Sequence, residues 1–121
     1  MGKEENVKPY DLEERTYLFA RRKRAFVKTL PRTLGNIEDA RQLVRASGSV
    51  GANYIEANEA LSRKDFRMRF KISRKEAKES RYWLRLVETS ERPSVDAERG
   101  ALIQEATELM LIFGSMVRKT E

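Results

Sequence analysis

A chain of 121 residues fits one domain and is long enough to bury a core without crosslinks. It contains no cysteine and no histidine, so disulfides, triad-type hydrolysis and His-dependent metal chemistry drop out together. The net charge of +6 is uneven: residues 15–45 carry nine Lys or Arg against two acids, residues 63–85 carry ten against three, and the other segments are acidic.

Residues 1–10 are expected to be a flexible lead-in and residues 11–121 the folded domain. Asp11, with Glu14 three residues on, has the pattern of an N-cap with an acidic N3 residue, and no Gly or Pro follows until Pro31. Leu12, Phe19 and Phe26 lie seven apart. Thr16, Ala20, Val27 and Leu30 widen that stripe, while Arg21, Arg22, Arg24 and Lys28 fall mostly off it.

Asn36, followed by Asp39, is the expected cap of a second helix running to about Ala60. Its middle, Ser47 to Glu59, sets small and polar residues where the apolar face belongs. Gly48 and Gly51 each weaken an isolated helix by about 1 kcal/mol relative to Ala, which makes a break at Gly48 the competing expectation. The apolar spacing keeps its phase across both glycines, favouring one helix in which a missing Cβ lets a neighbour approach. Ser62 with Asp65 caps a third helix, predicted from Arg63 to about Thr89. Phe66, Phe70, Ser73, Ala77, Ser80, Leu84 and Val87 mark its inner side, with Ile72, Trp83 and Leu86 on the flank. The run Ser90 to Ser94, containing Pro93, ends it. A fourth helix is predicted from near Val95 to Arg118, with an apolar face built on Leu102, Ala106, Leu109, Phe113 and Met116. Four such stripes joined by short connections imply an all-α, up-and-down antiparallel four-helix bundle.

Two basic blocks can focus a field that attracts a polyanion; the plain alternative is that they solvate helix surfaces and counter neighbouring acids. On the third helix Arg63, Arg67, Arg74, Lys78 and Arg81 recur at three-, four- or seven-residue intervals. Lys64, Lys71, Lys75 and Arg85 extend that surface, and the first helix adds Arg21, Arg22, Arg24 and Lys28. This density suits phosphate contacts more than base reading. Tyr82 or Trp83 can stack on an exposed base or pack at an interface. Asn53 and Glu56, three residues apart, are expected to be a structural polar pair; Glu56, if buried, needs a donor such as Arg45, Arg69 or Arg81. Three carboxylate pairs, Glu56/Glu59, Glu76/Glu79 and Glu105/Glu108, can each share a helix face, and two of them turned inward could hold Mg²⁺ or Mn²⁺. Glu is common on helix surfaces, and Arg74, Lys75 and Lys78 can neutralise the second pair. No metal, cofactor or catalytic residue is therefore expected. No stretch approaches the roughly 18 uninterrupted apolar residues that cross a bilayer, and the chain opens on charged residues, so a cytoplasmic protein without a membrane partner is expected.

The segment Val50-Gly51-Ala52-Asn53-Tyr54-Ile55-Glu56-Ala57, followed by Ser62-Arg63-Lys64-Asp65-Phe66 and Lys75-Glu76-Ala77-Lys78-Glu79-Ser80-Arg81-Tyr82-Trp83-Leu84, resembles the four-helix bundle proteins encoded by intervening sequences in bacterial 23S ribosomal RNA genes. The resemblance is strong over the two central helices and follows the helix order across nearly the whole chain. It implies an up-and-down bundle assembling into a ring, with a pentamer as the family expectation. The family is also similar to the accessory variability proteins of diversity-generating retroelements, basic pentamers that bind nucleic acid and a reverse transcriptase. Asn53 and Glu56 match the family's characteristic polar pair, whereas Ala57 stands where Gly often follows that Glu. No enzyme activity carries over. The expected function is a non-catalytic homo-oligomer that binds RNA or DNA phosphates through the first and third helices. The competing expectations are a scaffold for an acidic or polymerase protein partner and, behind it, a metal-dependent nucleotide phosphohydrolase.

Overall fold

The four amphipathic stripes become four α-helices in a computed structural model, which describes residues 9–121: α1 Pro9–Val27, α2 Leu34–Asn58, α3 Arg63–Leu86 and α4 Pro93–Lys119. Most of the expected flexible stretch 1–10 lies outside the described residues, and Pro9 and Tyr10 already belong to α1. Each helix is adjacent to its neighbours in sequence, and α4 returns to α1. The backbones of α1 and α3 do not approach each other, and the two helices stand at diagonal corners. This is the up-and-down antiparallel bundle that the short connections imply.

Heptad-spaced apolar residues fill its centre. Leu12, Phe19 and Phe26 on α1, Leu43, Val50 and Ala57 on α2, Phe70, Ala77 and Leu84 on α3, and Val95, Leu102 and Leu109 on α4 are all buried. Burying a Leu or Phe side chain is worth about 1.5–3 kcal/mol, so this shared seam is the main stabilising contribution. Near one end the rings of Tyr54, Phe66, Phe70 and Phe113 form a cluster, with Phe66 edge-on to Phe70 at 4.4 Å. Ile37 and Ile55 on α2 are exposed although their spacing sets them beside the apolar face.

Capping follows the sequence in one place and departs from it in another. Ser62 caps α3 by accepting from the Asp65 N–H at 3.0 Å, as its spacing predicts. The cap of α2 is Thr33, whose hydroxyl accepts from the Asn36 N–H. Asn36 is buried and otherwise engaged. Its amide donates to Pro31 O and Glu88 O, both at 2.9 Å, and its Oδ1 accepts from the Glu88 N–H at 2.9 Å. One side chain thus fastens the α1–α2 turn to the end of α3. The helix α3 stops at Leu86, short of the expected Thr89, and the chain turns through Ser90 and Glu91, both at positive φ. Pro93 then opens α4 two residues before the expected start, a position where its missing N–H costs nothing.

By length and composition α4 could cross a membrane, with an 18-residue window of mean hydropathy 1.2. Its apolar face is a wall of the core, and Glu105 and Glu108 on it are bound to Arg15 of α1.

Lys23 is the unexpected member of the core. It follows Phe19 by four residues and precedes Phe26 by three, so it shares their stripe. The residue is 0% exposed, its Nζ lacks a hydrogen-bond partner among the described residues, and it lies 4.0 Å from the Phe19 ring centroid. Burial without a partner holds its amine well below the usual lysine range.

Candidate nucleic-acid interface

The small-residue segment Ser47–Glu59 is continuous helix, unbroken at Gly48. A Cβ on Gly51 would sit 2.8 Å from Thr16 Oγ1 and 3.1 Å from Thr16 Cβ, so α1 approaches α2 at this point because nothing intervenes. On the other side the Ser73 hydroxyl of α3 donates to Val50 O at 2.9 Å. Three helices therefore meet across two residues of α2. Gly48 was expected to share this packing role, yet a Cβ there would meet nothing within 4 Å.

The expected polar pair separates. Asn53 is half-buried: its amide donates to Ser49 O and Oγ, and its Oδ1 accepts from Arg69 Nη1 at 3.1 Å, tying α2 to α3. Glu56 is exposed, and its carboxylate makes no hydrogen bond or ion pair among the described residues. Three residues span 300° of helix, enough to put a neighbouring pair on either side of a narrow contact. None of the three arginines considered for Glu56 reaches it. Arg69 serves Asn53, Arg45 serves Glu76 and Glu79, and Arg81 serves Thr107.

Two of the three carboxylate pairs, Glu76/Glu79 and Glu105/Glu108, are closed by cations. Glu76 is buried to 6% exposure and faces Arg45 at 3.4 Å, which also lies 3.5 Å from Glu79. Arg15 grips Glu105 through two hydrogen bonds of 2.7 and 2.9 Å and reaches Glu108 at 2.6 Å. The Glu105 bonds raise the guanidinium's pKa. The Glu108 carboxyl is held below the usual carboxylate range, first by the Gln104 amide and then by Arg15. Among the described residues no three His, Cys, Asp or Glu side chains gather as a metal site would require.

The basic residues divide into fasteners and free charges. Arg22 is bidentate to Glu98 at 3.2 and 3.1 Å, and Arg21 donates to the Tyr17 hydroxyl at 3.2 Å. Arg63 and Arg67 donate to Thr120 O at 3.2 and 2.6 Å, closing the C-terminus of α4, while Arg81 donates to Thr107 Oγ1 at 3.4 Å. Among the described residues Arg24, Lys28, Lys64, Lys71, Arg74 and Lys78 have no such partner. The diagonal placement of α1 and α3 means that these six do not share one surface. Arg24 lines a groove of about 520 Å³ between α1 and α2 whose walls also hold Glu13 and Glu14. Lys28 and Arg32 line another of about 310 Å³ at the α1–α2 turn.

The third-helix charges converge instead on a groove of about 450 Å³ between α3 and α4. Lys71, Arg74, Lys75 and Lys78 come from one side and Arg118 from the other, over Met110, Leu111 and Gly114. No acid lines it. A Cβ on Gly114 would lie 3.6 Å from both Arg74 Cδ and Arg118 Nη1, an ordinary contact, so both arms pass close over this position. Leu111 is 61% exposed beside them. Lys75 has only a long ion pair, 3.9 Å, with Glu79. The contribution of Arg118 is not foreseen from sequence, because a basic residue in a last helical turn is already accounted for by the helix dipole. The antiparallel register that brings it opposite Lys71 is what gives it a second setting.

Residues 11–113 match the family described as 23S rRNA-intervening sequence protein. A solved structure, that of a protein of unknown function from the S23 ribosomal protein family of Bacteroides thetaiotaomicron VPI-5482, is similar to this chain at 28% identity and a TM-score of 0.73. The similarity covers 88% of this chain and 97% of the other. No curated protein matches the chain.

Proposed function

The chain belongs to the 23S rRNA-intervening sequence protein family, and from that premise we propose that it is a non-catalytic protein that binds RNA or DNA phosphates along the α3/α4 groove. The observation that carries this is the set of five cations lining the groove with no acid among them, while much of the remaining basic charge is spent on ion pairs and helix ends. Uncompensated cations on a fixed helix favour a polyanion, and Lys or Arg opposite phosphate needs charge density more than directional code. The interior hydrogen bonds at Asn53, Ser73 and Thr120 keep α3 in place, so little ordering accompanies binding. Assembly into a ring, for which a pentamer and the kinship with retroelement accessory proteins are the family-level expectation, would repeat a modest groove around an axis and raise its effective affinity. The cytoplasm is the compartment this role requires.

Fluorescence anisotropy with a labelled RNA oligonucleotide tests the proposal. Replacing Lys71, Arg74 and Lys78 together by Ala should abolish most binding at low salt, whereas replacing Arg24 and Lys28 should leave it nearly intact. Equal losses in the two variants would refute the assignment to this groove. Retained binding to an acidic protein with none to RNA or DNA would favour the scaffold reading.

A further inference from the structure

The outer surface of α3 carries more than charge. Lys64, Lys71, Lys78 and Arg85 repeat every seven residues, about 10.5 Å apart along the axis, and all four are exposed with no ion pair among the described residues. Tyr82 sits in that strip, four residues beyond Lys78 and three before Arg85, which places it on the same face as both. It is 54% exposed, and its hydroxyl makes no hydrogen bond with the described residues. Trp83, half-buried against the core, meets the Tyr82 ring edge-on with centroids 5.1 Å apart and an interplanar angle of 72°. An edge-to-face contact fixes the ring's orientation while leaving at least one face of the phenol uncovered by its neighbour.

An aromatic ring held among phosphate-seeking cations offers what a base seeks once it leaves a stack. Bases of a continuous duplex are stacked on both faces and have none to give, whereas unpaired nucleotides present a free face to an aromatic side chain. We infer that Tyr82 is a stacking platform, and that the ligand of the α3 strip contains unpaired nucleotides whose phosphates lie against Lys78 and Arg85. This rests on the proposed phosphate binding by α3 and adds a class of ligand to it.

Anisotropy with an oligouridylate of about 12 nucleotides and with an RNA duplex of equal length separates the two. Tyr82→Ala should weaken single-strand binding about 5- to 150-fold, the equivalent of roughly 1–3 kcal/mol per stacked base, and change duplex binding less than about twofold. Its salt dependence should be unchanged, because no charge is lost. Tyr82→Trp should keep the affinity. Single-strand affinity unaltered by Tyr82→Ala, or single-strand and duplex affinities lowered alike, would overturn the inference. So would a loss of affinity accompanied by a changed oligomeric size on gel filtration, which would assign Tyr82 to a subunit contact. If the Lys71/Arg74/Lys78 variant loses affinity while Tyr82→Ala does not, stacking fails and phosphate binding stands. A wild-type chain that binds neither probe refutes both.

Discussion

Replacing Lys23 by Met isolates the energetic cost of an amine buried without a partner. The nitrogen sits in a residue of 0% exposure, with the Phe19 ring 4.0 Å away as a favourable electrostatic neighbour. A desolvated cation over a ring gains about 2 kcal/mol, against an effective desolvation penalty of several kcal/mol per ion. Desolvation wins, and burial holds the amine's pKa well below the usual lysine range. Met keeps the stem as far as Cε and removes the polar atom. Relieving an unsatisfied buried donor is worth about 1–3 kcal/mol, with a one-atom void as the only offset. For 121 residues, an unfolding entropy of about 2.1 cal/mol/K per residue makes 1 kcal/mol equal to about 4 °C in Tm, so Lys23→Met should raise Tm by about 4–12 °C near neutral pH. The sign of the pH effect follows from the depressed folded-state pKa. Between that value and the usual lysine pKa the unfolded chain binds the extra proton, so wild-type stability rises with pH across this window and the variant lacks that slope. Thermal melts followed by circular dichroism at about pH 6, 8 and 10 should show the advantage of the variant shrinking as pH rises. A variant that is less stable at every pH, or two parallel pH profiles, would refute the reasoning.

The two glycines of α2 should respond in opposite directions. Gly48→Ala meets nothing within 4 Å and should gain up to about 1 kcal/mol from helix propensity; Gly51→Ala drives a methyl to 2.8 Å from Thr16 Oγ1 and should lose about 1–3 kcal/mol, both read from urea denaturation. Asn36→Ala strands Pro31 O and both backbone groups of Glu88, so a loss of about 2–4 kcal/mol is expected in the same assay. Arg15→Met should cost about 1–2 kcal/mol, the value of charge-assisted hydrogen bonds discounted for partial exposure. Because the folded Glu108 carboxyl is held below its ordinary range, its contribution is present above that range and lost as pH falls through the folded pKa. Acid unfolding curves should therefore lose part of that limb in the variant.

The architecture was legible because its causes are local and periodic. Heptad spacing fixed which face of each helix turns inward, and Ser62 with Asp65 needs only three residues of chain to form its cap. The continuity of α2 through Gly48 and Gly51 also followed from phase. The cap of α2 was misplaced because Asn36 is drawn away by Glu88, 52 residues distant, a partner that no local pattern announces. Lys23 escaped notice because its charge outweighed its position, although its spacing from Phe19 and Phe26 puts it on the apolar stripe. The basic residues were identifiable as a class but not by role. Whether a cation is free or fastened depends on which acid or carbonyl faces it across the bundle, as Arg22 with Glu98 and Arg67 with Thr120 show. The groove itself needed the α3–α4 register, which sets Arg118 near Lys71 and Arg74.

The salt dependence of RNA affinity tests phosphate binding in this groove most directly. If Lys71, Arg74, Lys75, Lys78 and Arg118 each meet a phosphate of a single strand, the plot of log K against log salt should fall with a slope of about −3.5 per groove. Removing Lys71, Arg74 and Lys78 should flatten that slope by about 2, and removing Arg24 and Lys28 should leave it unchanged. A wild-type slope near zero, or one that survives the loss of the three α3 cations, would contradict the account.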